Sequence, residues 1–253
     1  MARGRKPKWT DNGFKNGIQT YSLSSWKYFH DFAQEHFDNK NYVYRGQNNE
    51  NWKLEPTLNR LLKRNSIANY DEKIEAHLEN FKFSVRGRAD FIKDIIENEN
   101  ELWAVGQHNF LNTPLLDFTF SPYVAAYFAF YEKQKESSHR VIFALSQYHI
   151  TEESTDLELF KPMSGHNPRL LNQGGLFVKF KTKDDLEKAI VDYVIKTKEE
   201  SLYIKLTKIR IPNSDREECL IALDKMNINH NSLFPDLFGA SIYCNTKLEI
   251  NKY

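Results

Sequence analysis

The stretch GQHNFLNTPLLDFTFSPYVAAYFAFY, residues 106–131, decides the class of fold. Its first residues end a helix predicted over 101–108. Its last ten open another: Ser121 is placed to cap free amides, and Pro122 suits the first helical position. Val124, Ala125, Phe128 and Ala129 then line one face. Working outward, Arg140 to Leu145 and Gly175 to Phe180 read as strands. On the N-terminal side, Ile74, Leu78, Phe81 and Val85 mark one helical face inside the charged zone 69–98. Trp26, Phe29, Phe32 and Phe37 keep near-helical spacing after serines that can cap it. Tyr42 to Arg45 reads as a short strand that Gly46 ends in a turn. Near the C-terminus, a strand from Leu202 ends near Pro212, a helix runs from Ser214 and Asp215 to about Met226, and one more helix covers 232–243. Strands and helices do not alternate regularly. The expected class is therefore α+β, a mixed or antiparallel sheet flanked by helices, with a helical insertion after its first strand at 42–45.

Composition bounds what the chain can do. It has 253 residues, enough for one large domain or two small ones. Eighteen Phe and thirteen Tyr are too many for a disordered chain. The net charge of +1 gives no bulk case for nucleic-acid binding. Arg3, Arg5, Lys6 and Lys8 make residues 1–16 a basic N-terminus, expected to be flexible. The two cysteines, Cys219 and Cys244, sit in no metal pattern. No metal is expected, and both read as buried thiols in a reducing compartment. No apolar core of a signal peptide follows the basic start, and no run reaches the length of a membrane span. The expected location is the cytoplasm, with no membrane partner.

Two stretches combine apolar scaffolding with unusual polar groups. In Tyr44-Arg45-Gly46-Gln47, an arginine at the end of an apolar strand sets a forked cation beside a glycine. Arg45 has two readings: a clamp for a phosphate or carboxylate, or a structural arginine paired with an acid. The second stretch gathers Gln107, His108, Thr113, Asp117, Thr119 and Ser121 among apolar residues. His108 reads as a base, as an anion donor, or as a helix C-terminal residue favoured by the dipole. Asp117 is a candidate orienter of Arg45 or His108, Ser121 an N-cap, and Thr119 has no evident structural need. Ser164-Gly165-His166 is a loop signal without triad spacing. Paired acids such as Glu152-Glu153, Glu199-Glu200 and Glu217-Glu218 read as solvated faces. No P-loop, dinucleotide fingerprint, nucleophile elbow or zinc-protease motif is present.

In their order, these motifs resemble the FRG domain of bacteria and phage, named for its Phe/Tyr-Arg-Gly motif. The similar elements are Tyr44-Arg45-Gly46-Gln47, then Trp52 to Leu58 with Arg60, then Gln107-His108, Thr113, Leu115 to Thr119 and Ser121-Pro122. Asn167-Pro168-Arg169, Gln173 to Phe177 and Leu233 to Leu237 follow. Phe118 stands where Trp is usual, Pro114 where Arg is common and Gly106 where Ala is frequent. The resemblance implies one FRG domain over residues 17–253.

A weaker similarity is to ADP-ribosyltransferases of the Arg-Ser-Glu type, which implies a fold of that kind. Carried onto this chain, it places Arg45, His108 and Gln173 at the reacting ribose as catalytic residues. Gly46, Gln47, Gln107, Thr113, Asp117, Thr119 and Ser121 become substrate-binding residues. The implied ligand is NAD or a related nucleotide, whose ribosyl group is transferred or cleaved. The implied setting is phage defence or toxin action, with a protein, nucleotide or nucleic-acid target. Gln173 stands where such enzymes carry a glutamate, and an amide supplies no negative charge. Asp117 or Asp236 is then the alternative acid. The rival implication is a non-catalytic nucleotide- or nucleic-acid-binding module. A third reading makes Arg45, Gln107, His108 and Asp117 a buried structural network. A strand of Gln173 lying beside that of Arg45, with Thr119 facing the same cleft, is what the transferase-like alignment requires.

Overall fold

A computed structural model describes residues 7–37, 41–163, 168–198 and 203–251. Arg3, Arg5, Lys6, Ser164-Gly165-His166, Asn167, Glu199-Glu200 and Leu202 lie outside these residues.

The chain opens with two strands, β1 (Trp9–Lys15) and β2 (Ile18–Leu23), joined as an antiparallel pair. After a single helical turn capped by Ser25 come α1 (Phe29–His36) and β3 (Tyr42–Gln47). A helical block follows: α2 (Thr57–Arg64), α3 (Tyr70–Val85), α4 (Ile92–Ile95) and α5 (Glu99–His108). Then come β4 (Leu115–Thr119), α6 (Pro122–Phe130), β5 (His139–Ser146) and β6 (Leu157–Phe160). The remainder is α7 (Pro168–Asn172), β7 (Gly175–Phe180), α8 (Leu186–Thr197), β8 (Leu206–Pro212), α9 (Arg216–Lys225), α10 (His230–Leu233) and α11 (Leu237–Asn251).

The strands form one mixed sheet in the order β1-β2-β8-β5-β3-β4-β7-β6. Only β2 and β8 run parallel to each other; the other neighbours are antiparallel. The fold is α+β, a mixed sheet flanked by helices. Strand alternation sorts the core. Ile142 and Ala144 of β5 face one layer with α1, α6, α9, α10 and α11. Val141, Phe143 and Leu145 face the other, which α8 covers with Leu186 and Ile190. The helical block packs around Trp103 and Leu102 and docks on the sheet through Leu115 and Phe177.

Several expectations are corrected. Residues 9–15, within the basic N-terminus, form a strand not expected there, and Lys8 pairs with Asp31. The strand at 42–47 is therefore third in the chain, not first. It does not break at Gly46, because the glycine serves helix packing rather than a turn. The helical face expected from Ile74 to Val85 is found in α3, which ends at Val85 before Gly87 at φ +74°. The helix expected over 232–243 splits around Phe234-Pro235-Asp236. There the Asp236 carboxylate accepts from the Gly239 amide (2.8 Å) and caps the new start. The expected strand start at Leu202 gives way to Leu206. Cys219 is a buried thiol, but Cys244 is exposed, and the two do not pair.

Arg140 on β5 is fully buried. Its Nε donates to the Asn213 side chain (2.7 Å), and its other nitrogens donate to the carbonyls of Ala129 and Glu132, the latter at 2.8 Å. The Ala129 carbonyl belongs to the last turn of α6, where acceptors lack helical partners, and the Glu132 carbonyl lies just beyond it. Burial, with nearby Arg216, pushes the Arg140 pKa down to about 10. Arg140→Met is expected to strand these acceptors and to cost about 3 kcal/mol. Urea denaturation checks this; a midpoint equal to wild type would refute it.

Candidate functional site

The sheet is split near its middle. β3 pairs with β5 from Tyr42 through Gln47, and β4 pairs with β7 along its whole length. β3 and β4 meet at one ladder pair only, Tyr44 with Thr119. Past that pair the strands part, and a cleft of about 470 Å³ opens between them. That volume suits a small-molecule ligand.

Arg45 spans the split. Its guanidinium donates to the backbone carbonyl of Asp117 (2.7 Å), and the Asp117 carboxylate lies 3.6 Å away. Burial lowers the Arg45 pKa, Asp117 opposes that, and Arg60 adds repulsion. The Arg45 Nε is buried with no hydrogen-bond partner among the described residues. Arg60 on α2 is exposed, and its guanidinium has no hydrogen-bond or ion-pair partner among them either. Three cations thus line one cleft, and two of them, Arg45 and Arg169, are each paired with a carboxylate.

Gly46 lines the cleft with its backbone, but its missing side chain has another cause. A Cβ there would lie 1.9 Å from the Ala125 carbonyl and 2.6 Å from the Ala129 amide. The backbone that approaches Gly46 is that of α6.

The second stretch folds as a brace for Arg45. Gln107 donates to the Asp117 carboxylate (2.9 Å), and its own carbonyl oxygen accepts from the Thr113 hydroxyl. Thr113 is fully buried behind Gln107 and does not line the cleft. Ser121 caps α6 by accepting from the Val124 amide (3.3 Å) and does not line the cleft either. Both hold structural roles: Thr113 braces Gln107, and Ser121 is the N-cap expected of it. Thr119 lines the cleft and is structurally engaged as well. Its hydroxyl donates to the Gln173 carbonyl (2.7 Å) and accepts from the Ser121 amide (3.1 Å). Asp117 orients Arg45, not His108.

His108 ends α5 on the cleft wall. Burial lowers its pKa, nearby Arg169 adds to that and Asp236 opposes it, so the neutral imidazole is favoured. Arg169 itself is held by Asp236 (3.0 Å from Nε). Gln173 lines the cleft, and its amide donates to the Leu233 carbonyl (3.2 Å). It sits in the turn before β7, and β7 is not beside β3, because β4 stands between them. Arg45, Thr119 and Gln173 nevertheless line the same cleft.

Gln47, of the expected set, and several residues beyond it complete the walls. Gln47 donates to the Lys53 carbonyl (3.3 Å) and Asn48 to the Glu132 carboxylate (2.9 Å). The side-chain oxygens of Gln47 and Asn48 are buried without partners. Trp52 and Phe110, with Phe128, Tyr131 and Phe234, supply aromatic faces. Arg60, Arg169 and Phe234 stand in the motif elements quoted above, so a signal for them exists. Phe128 shares the apolar face of α6, and nothing in the local sequence of Tyr131-Glu132 separates it from an ordinary helix end.

No helix among the described residues is long and apolar enough to cross a membrane. No curated protein and no solved structure matches the chain. One protein-family model does match. It covers β3, the helical block, β4 and α6, and stops before β5. The motif elements at 169–177 and 233–237 lie outside it, although they line or brace the same cleft. An FRG domain is present in this chain, matched over residues 40–138.

Proposed function

We propose that the cleft binds a phosphorylated nucleotide, with NAD as the ligand to test first, and transfers or cleaves its ribosyl group. The observation that carries this reading is the pairing of Arg45 and Arg60 at the split. Forked cations in a partly buried cleft suit phosphate oxygens. Aromatic faces beside them suit the flat rings of a base or nicotinamide. The partnerless oxygens of Gln47 and Asn48 are acceptors for ribose hydroxyls. His108, favoured neutral, is able to accept or relay a proton. The implied cytoplasmic setting and defence or toxin role, and a protein or nucleic-acid target, belong to the same proposal.

Calorimetric titration of the purified chain with NAD, together with assay of free nicotinamide, tests it. Saturable binding with nicotinamide release is expected. Neither binding nor release would overturn the reading. The Gln173 amide, turned onto a backbone carbonyl and uncharged, favours a second reading: a module that binds nucleotide without turnover. Binding without release would establish that version.

A further inference from the structure

Ribosyl cleavage needs negative charge beside a carbon that becomes positive, and Gln173 offers none. The two acids named as its replacements are committed elsewhere. Asp117 lies beside Arg45, and Asp236 is paired with Arg169 and does not line the cleft. A third carboxylate does line it. Glu132 follows the end of α6, and each of its oxygens has one donor from the cleft wall. Asn48 donates to Oε2 (2.9 Å) and the Tyr131 hydroxyl to Oε1 (2.8 Å). Arg140 fixes its backbone by donating to its carbonyl (2.8 Å). Burial, and then Glu132 itself, raises the Tyr131 pKa, so the phenol stays a donor. Among the described residues no cation is ion-paired with Glu132, so its charge is oriented but not neutralised.

We propose that Glu132 is the catalytic carboxylate of this cleft. The inference rests on the reading that the cleft cleaves a ribosyl group. In the step it serves, the bond between ribose C1′ and the pyridinium nitrogen breaks. The electron pair leaves with the nitrogen, which makes nicotinamide neutral. Positive charge develops on C1′ and the ring oxygen, facing Glu132. Water attacks C1′ and its proton passes through Glu132 to solvent. The sum is NAD+ and water giving ADP-ribose, nicotinamide and one proton. Arg45 and Arg60 hold phosphate in the same cleft. The partnerless Asn48 oxygen, on the residue that orients Glu132, accepts from a ribose hydroxyl. A carboxylate set in advance where charge develops acts without reorganisation.

The test compares wild type, Glu132→Gln and Glu132→Asp for nicotinamide release and for NAD binding by calorimetry. Glu132→Gln keeps the size and loses the charge. It is expected to bind NAD within about 3-fold of wild type and to release nicotinamide on the order of 100-fold more slowly. Glu132→Asp keeps the charge and is expected to retain more activity than the amide. Equal losses in both variants would mark Glu132 as structural and overturn the proposal. So would wild-type turnover in Glu132→Gln, which would leave ribosyl cleavage itself intact. A wild-type chain that binds NAD and releases no nicotinamide would remove the cleavage reading and this role with it.

Discussion

Gly46→Val is expected to leave the chain unable to fold, and Gly46→Ala is expected to cost more than about 3 kcal/mol. The cause is steric and has no cheap relief. The added carbon would stand 1.9 Å from the Ala125 carbonyl oxygen and 2.9 Å from its carbon. These are backbone atoms in the middle of α6, so no rotamer change moves them away. Gly46 itself is held in a ladder with Ile142 of β5 and cannot retreat. The helix must lift off β3, which opens the layer where Tyr44, Val124, Ala125 and Ala129 pack. For a domain of this size the alanine variant should melt on the order of 10 °C lower. Circular dichroism melting reads this directly. A wild-type melting temperature for Gly46→Ala would mean that α6 does not rest on β3 as described.

Arg45→Ala should fold and lose nucleotide affinity by roughly 100-fold, the cost of one or two charge-assisted hydrogen bonds. Deleting the guanidinium also leaves Asp117 facing a phosphate with no cation beside it. Arg45→Lys should recover only part of the affinity. A lysine is a point charge and cannot hold the Asp117 carbonyl and a ligand oxygen with one planar fork. Raising the salt should weaken the contribution of exposed Arg60 more than that of Arg45, because exposed charges are screened more strongly. Titration with NAD and with ADP-ribose at two salt concentrations measures both effects. Unchanged affinity in Arg45→Ala would remove the anion clamp. An unfolded variant would favour the purely structural arginine.

How much of the fold is legible in the sequence follows how local the signal is. The helix at 122–130 is legible because Ser121-Pro122 announces its start in adjacent residues. The strands at 139–146 and 175–180 are legible because apolar runs of that length suit strands buried on both faces. β1 escapes because Thr10-Asp11-Asn12-Gly13 is polar and lies at the sheet edge, where no buried face imposes alternation. α8 escapes although its cap is ordinary: Asp185 accepts from the Lys188 amide. Leu186, Ala189, Ile190, Tyr193 and Val194 keep helical spacing as well, so a local signal for it exists. At the site, Arg45, Gln107, His108, Asp117 and Thr119 stand out because polar groups among apolar residues are visible in a string. Glu132 does not, because its meaning comes from Asn48, some eighty residues earlier. Thr113 reads as a ligand contact because a sequence shows a hydroxyl but not whether it faces inward, whereas the cap at Ser121 is legible and only the resemblance gives it a substrate role. Gly46 reads as a turn because a sequence shows the missing carbon but not that a helix demands it.

The single rung between β3 and β4 has a consequence for the sheet itself. A row of eight strands ordinarily has two open borders, at its first and last members. This one has four, because the lips of the cleft are borders as well, set in the interior. An open border at the periphery invites a foreign strand. An interior one is too narrow for that, and Arg45 is strapped across it. The polar backbone that a continuous sheet spends on itself is left over at this place, inside a wall that mixes aromatic and polar side chains. A chain that kept its middle strands zipped would gain hydrogen bonds and lose the cleft.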